Sequence, residues 1–169
     1  MTAFTAVSEV IRAVDRGETS IGVLPMPRAG EEDPWWASLL SCTKDPPQIV
    51  ARLPFAPLGN ARTNGAEALA IGRGVLQESG HDRTVLALEF ATEVSRALIL
   101  KLLSARGLAC TCFASCQRPD GPVDLIEIEG FVPIADPRLE SFRTELGPAL
   151  RRVVPLGGYA VPLAMNAKG

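Results

Sequence analysis

The sequence predicts a mixed α+β protein built in two parts, and three observations predict it. Short apolar runs recur and stop at proline or glycine, which is the length and punctuation of strands. Between them lie segments whose apolar residues return every three or four positions, the period of a helix with one buried face. After residue 83 these segments follow the order strand, helix, strand, strand, helix, strand, the split βαβ arrangement of ferredoxin-like folds. A smaller α/β part is expected over residues 1–75, the ferredoxin-like unit over 83–163 and a tail over 164–169.

The first element is a helix over 3–16, where Phe4, Val7, Val10, Ile11 and Val14 keep helical spacing and Gly17 stands at the left-handed cap. Residues 21–24 read as a buried strand, stopped by Pro25 and Pro27 because neither can donate to a sheet ladder. An acidic loop, Glu31-Glu32-Asp33, leads to a short helix over 34–40, with Asp33 as N-cap and Pro34 at the first helical position. Strands follow over 48–53 and 68–71, separated by a loop through Asn60 and Asn64. The glycines and charges of 72–82 mark the boundary between the two parts.

In the second part, 84–88 is a strand and Thr92 caps a helix running to about Arg106, with Ala97, Leu98, Leu102 and Leu103 on its apolar stripe and Gly107 ending it. Residues 108–114 and 123–129 form a hairpin about a turn over 117–122. Asp136-Pro137 opens a last helix whose face is Leu139, Phe142, Leu146 and Leu150, weakened by Gly147-Pro148, and 153–161 is the closing strand. Right-handed crossovers place both helices on one side of a four-stranded antiparallel sheet. Leu86, Ile126 and Ile128 are then too many for two helices to hide on this reading, and a second copy of the chain is the simplest cover for the other face. A homodimer is therefore expected.

The totals exclude several function classes. The chain has 169 residues, 47% of them apolar and 21% charged, with a formal net charge of -2. Only Lys44, Lys101 and Lys168 are lysines, and no basic run exists to displace counterions, so nucleic-acid binding and adhesion to anionic membrane have no footprint. No stretch approaches the roughly eighteen apolar residues of a membrane span, and the first residues do not resemble a secretion signal. A cytoplasmic location is the expectation. Cys42, Cys110, Cys112 and Cys116 fit neither a disulfide scaffold nor a zinc knuckle, and the single histidine, His81, is distant from them. Buried small thiols are expected, with no metal and no cofactor.

The residues 84–88, Ala105-Arg106-Gly107-Leu108, Ile128-Glu129-Gly130-Phe131 followed by Asp136-Pro137-Arg138-Leu139, and the ending Val154-Pro155-Leu156-Gly157-Gly158-Tyr159 together resemble the ACT domain of prephenate dehydratases. Gly22-Val23-Leu24-Pro25 and Glu67-Ala68-Leu69-Ala70-Ile71-Gly72 resemble strands of the catalytic region of the same family. The pair Trp35-Trp36 after Pro34, with the ending 156–163, also looks like a C-terminal region attached to some chorismate mutases. The resemblance implies a partial periplasmic-binding-protein-like lobe joined to an ACT-like domain, in phenylalanine biosynthesis, with a chorismate mutase domain or protein as partner.

The catalytic groups of that family are not matched. Loss of water and carbon dioxide from prephenate needs an acid for the departing hydroxyl and cationic or amide donors for two carboxylates. The resemblance places Ala66, Glu67 and Ala68 where the family has a threonine-arginine-phenylalanine motif, and Pro27, Arg28 and Ala29 where it has polar donors. Glu67 would repel a dianion. About a dozen residues separate Leu53 from Glu67, too few for a second lobe. No catalytic residue is expected, and Pro27, Arg28, Ala66 and Glu67 are degenerate positions, with Arg28 alone worth testing for anion binding.

The resemblance also places the amino-acid site at Val94, Ser95, Arg96 and Ser115. Val94 would fill space that the family leaves to a glycine, while Ser95, Arg96 and Ser115 could hold a carboxylate or amine, the alternative being that Ser95 and Arg96 are first-turn surface residues. Trp35 and Trp36 beside the acidic loop form either a recognition surface or a packing residue with a partly exposed neighbour. Gly72-Arg73-Gly74 lacks the spacing and lysine of a phosphate loop and reads as a linker turn. The expectation is a non-catalytic regulatory or assembly module that dimerises and binds an aromatic amino acid such as phenylalanine. The rivals are a dehydratase using Glu67 or Asp82 as acid, and a structural dimer without ligand.

Overall fold

The computed structural model describes residues 6–41, 45–54 and 67–161 and has the α+β class read from the sequence. In the first part, α1 (Val7–Asp15) buries Ile11 and Val14 and ends before Gly17, whose φ of 73° is the left-handed value expected of it. It is followed by β1 (Ile21–Pro25), α2 (Trp35–Leu39), β2 (Gln48–Leu53) and β3 (Ala68–Gly72). Strand β3 lies between β1 and β2 and runs antiparallel to both. Phe4, Cys42, Asn60, Asn64, Ala66 and the tail fall outside the described residues.

The second part holds β4 (Asp82–Phe90), α3 (Arg96–Ser104), β5 (Cys110–Arg118), β6 (Gly121–Glu129), α4 (Pro137–Leu146) and β7 (Leu150–Ala160). The order β7-β4-β6-β5, with antiparallel neighbours, is the ferredoxin-like topology.

Element ends depart from expectation in several places. Pro34 keeps an extended backbone, ψ 128°, so α2 begins at Trp35 and Pro34 rather than Asp33 occupies the N-cap. Helix α3 starts at Arg96 and not after Thr92, because the Ser95 hydroxyl accepts from the Leu98 amide at 3.2 Å and serves one of the free first-turn donors. The later start buries Ile99 and Leu103 with Leu102 half-buried, while Ala97 and Leu98 face solvent. Helix α4 stops at Leu146, and Gly147-Pro148-Ala149 forms a single 3-10 turn. The β5–β6 turn is only Pro119-Asp120.

The two parts share one seven-stranded sheet, β1-β3-β2-β7-β4-β6-β5. They meet where β2 runs parallel to β7, with Ile49 opposite Gly157. Gly157 has φ 120°, and a Cβ there would stand 2.2 Å from the Ile49 carbonyl oxygen, so only glycine allows the approach.

Leu86, Ile126 and Ile128 all face α3 and α4, in one cluster with Ile99, Leu103, Leu139 and Phe142. Two helices do hide them. The opposite face, carrying Val85, Ala87, Val123 and Leu125, belongs to a second cluster with Ile11, Val14, Trp35, Trp36, Leu39 and Leu40 of the same chain. The need to cover this face with a second copy is therefore removed. Among the described residues no helix is long and apolar enough to cross a membrane.

Candidate functional site

A groove of about 760 Å³ opens where the chain leaves β4 and enters α3, and it gathers all four residues singled out as ligand candidates, Val94, Ser95, Arg96 and Ser115. Ser95 is fixed by its capping bond, and Arg96 follows it on the first turn. The Arg96 guanidinium donates to the Ser115 hydroxyl and lies 3.9 Å from an Asp124 carboxylate oxygen. Ser115 and Asp124 are paired across β5 and β6, so register places both under the start of α3. Val94 is half-buried in the lining and packs partly on the helix-side core.

Asp124 is the member of the site that sequence reading missed. It is 7% exposed. Burial pushes its carboxyl above the ordinary range, and Arg96 pulls it partly back. Its signal lay in the strand 121–129, where an acid stands between inward-facing apolar residues. From the other side the acidic loop contributes Glu31 and Glu32, with Glu93 nearby. One Glu31 carboxylate oxygen is buried without a hydrogen-bond partner among the described residues. The groove thus sets four carboxylates against one guanidinium, with Phe90, Val94, Cys116 and Pro122 as apolar wall. Such a site favours a ligand bearing an ammonium group and disfavours a dianion.

The degenerate cleft positions do not come together as a site. Pro27 is buried and Arg28 is exposed, and Ala66 lies outside the described residues. Glu67 is paired with Arg52 at 2.9 Å. Arg52 in turn donates to the Tyr159 hydroxyl at 3.3 Å, and Tyr159 donates to Glu127, which sits 3.7 Å from Arg83. The bond to Tyr159, then Glu67, raises the Arg52 pKa against the cost of burial. Burial pushes the Tyr159 hydroxyl up to about 12, with Glu127 adding to the shift. This belt of charges joins the two parts of the sheet, and Glu67 is one of its ends.

Asp82, the other acid weighed for chemistry, is held in a turn. It accepts from the Ser79 amide and hydroxyl at 2.9 and 2.7 Å and from the Gly80 amide at 3.1 Å. Burial alone would raise its carboxyl, but these bonds outweigh it and hold the group below its ordinary value. Arg73 of the glycine turn donates to Asp15. Cys110, Cys112 and Cys116 are free, and burial pushes the Cys112 thiol up to about 11. No group of metal-ligating side chains occurs among the described residues.

Trp35 and Trp36 are 7% and 0% exposed, so the recognition surface considered for them is absent. The Trp35 indole donates to the Pro25 carbonyl at 3.0 Å and ties α2 to the end of β1. The Trp36 indole nitrogen is buried without a partner among the described residues. A further hollow of about 560 Å³, bordered by the exposed Ile21, Val75, Phe131 and Ile134, contains none of the candidate ligand residues.

No protein-family model matches the chain, and no curated protein matches it. Solved structures do. The X-ray structure of prephenate dehydratase from Streptococcus mutans matches with a TM-score of 0.63 and 20% identity, covering 95% of this chain and 85% of that one. GqqA, described as a novel type of quorum quenching acylase, matches with a TM-score of 0.66 and 16% identity, covering 98% of this chain and 84% of that one. These likenesses show a shared, prephenate-dehydratase-like fold.

Proposed function

We propose that this chain is a non-catalytic regulatory or assembly module of aromatic amino-acid biosynthesis that binds a free amino acid at the start of α3 and acts with a chorismate mutase. Two proteins of different activity share its fold, so the fold alone does not choose the chemistry. The reading rests on the site. Its carrying observation is that Arg96 bridges Ser115 and the buried Asp124 inside one groove. Arg96 with the Ser95 and Ser115 hydroxyls suits a carboxylate, Asp124 and its acidic neighbours suit an ammonium, and the wall around Phe90 suits an apolar side chain. An amino-acid zwitterion has these three parts in that proximity.

The same residues argue against a dehydratase. Prephenate is a dianion, and the acids available for it are engaged, Glu67 with Arg52 and Asp82 with Ser79. Self-association keeps its support from the ACT-like resemblance alone, now that the sheet face is covered from within. The test pairs two assays. Thermal melts with each of the aromatic amino acids are expected to show stabilisation by at least one, and incubation with prephenate is expected to yield no phenylpyruvate above a protein-free control. Unchanged melts with all three would sink the binding claim, and turnover abolished by Glu67→Gln would overturn the non-catalytic one.

A further inference from the structure

Three guanidinium groups meet on the other side of Phe90 from the amino-acid groove. Arg118 ends β5, and Arg151 and Arg152 open β7. The strand order brings these ends together over β4, where Glu89 stands opposite Arg152. With Glu89 and Asp120 they line a hollow of about 390 Å³. It shares Phe90 with the amino-acid groove and none of that groove's charged groups.

The acceptors present do not satisfy the donors. Glu89 accepts from Arg152 through both oxygens, at 2.7 and 2.9 Å, the geometry of a strong bidentate pair. That pair fixes Arg152 and uses the best lone pairs of Glu89. The Glu89 carboxyl is held below its ordinary range by Arg152 first, and also by Arg118 and Arg151. Arg118 is left 3.6 Å from Glu89 and 3.5 Å from the Ser41 hydroxyl, both longer than a charge-assisted bond. Arg151 donates to the Asp120 carbonyl, but the Asp120 carboxylate is 4.0 Å away and its side chain is 76% exposed. An ion pair so solvated holds its partner weakly. Arg151 and Arg152 also line a neighbouring hollow with Arg143, whose own pair with Glu140 is 3.8 Å long. The positive surface therefore continues past the first hollow.

We propose that this corner binds a small dianion, a phosphate group or a dicarboxylate, gripped by Arg118 and Arg151 while Glu89 holds Arg152 in place beside it. A guanidinium presents five N–H donors in a planar fork that matches both anions, and most of those on Arg118 and Arg151 have no close acceptor among the described residues. The sequence contains no basic run because the three arginines come from two strand ends that only the fold unites.

The probes are inorganic phosphate, succinate and the monoanion acetate, titrated calorimetrically into the full chain at slightly alkaline pH and fixed ionic strength. At least one dianion is expected to bind saturably and at least tenfold more tightly than acetate. Arg118→Gln and Arg151→Gln are each expected to weaken it tenfold or more. Binding of phosphate alone assigns the site to a phosphate group, and binding of succinate alone to a dicarboxylate. Equal responses to all three anions, or dianion affinity unchanged in the variants, would overturn the proposal. Circular dichroism checks each fold, and Arg151→Gln decides if Arg118→Gln does not fold, since the Asp120 partner of Arg151 is already in water.

Discussion

Arg52 on β2 donates to the hydroxyl of Tyr159 on β7 at 3.3 Å, joining residues 107 apart in the sequence. The bond lies in the belt that runs from Glu67 through Arg52, Tyr159 and Glu127 to Arg83. It sits at the seam where the two parts of the sheet meet. Glu67, placed by resemblance at a catalytic position, therefore serves the joint between the parts.

Tyr159→Phe removes the hydroxyl between Arg52 and Glu127 and leaves the mostly buried Glu127 carboxylate with Arg83 as its remaining long-range partner. Loss of roughly 1–2 kcal/mol is expected, the net worth of a hydrogen bond to a partly buried charged group. Urea denaturation checks it, with the midpoint falling and the slope unchanged.

Gly157→Ala is expected to cost about 3 kcal/mol or more, because it combines a strained φ with a backbone clash at Ile49. The damage should concentrate at the seam. Hydrogen exchange checks it, with amides of β2 and β3 losing protection before those of β4 and β6.

Both tryptophans are expected to emit at short wavelength and resist iodide quenching, since neither indole is exposed. Trp36→Ala should cost roughly 3–5 kcal/mol as a core truncation. Trp36→Phe should cost far less than that, because the Trp36 indole nitrogen has no hydrogen-bond partner among the described residues. Fluorescence and denaturation of the single variants check both statements.

The acid limb of stability should depend on Glu89. Its folded pKa is depressed, chiefly by Arg152. Its contribution is therefore complete above the unfolded value of about 4.3 and is lost as pH falls through the lower folded one. Arg152→Gln is expected to flatten that limb in denaturation series from about pH 3 to pH 7. Asp124 has the opposite sign. Burial raises its pKa, so its ionisation disfavours the folded state as pH rises through that range. Asp124→Asn should leave the ligand-free protein at least as stable at neutral pH.

Much of the fold was legible because its signals are local. Residues 48–53 alternate as a strand and are one, and Asp136-Pro137 opens α4 by the expected cap, with the Asp136 carboxylate accepting from the Arg138 amide. The start of α3 was misread because Thr92 and Ser95 are both good caps, and only packing of Ile99 and Leu103 against the sheet decides between them. The covering of Val85 and Leu125 by the first part was illegible, since it depends on contacts between residues far apart in the chain. The site divided in the same way. Ser95, Arg96 and Ser115 were reachable from resemblance, whereas Asp124 joins them only through the register of β5 and β6.

Calorimetric titration of phenylalanine, tyrosine and tryptophan, each in turn, into the wild-type chain and into Arg96→Gln tests the central claim most directly. The account predicts saturable binding of at least one of them, one molecule per groove, in the wild type and loss of at least tenfold in affinity in the variant. Absence of binding of all three to the wild type, or equal affinity in Arg96→Gln, would contradict it.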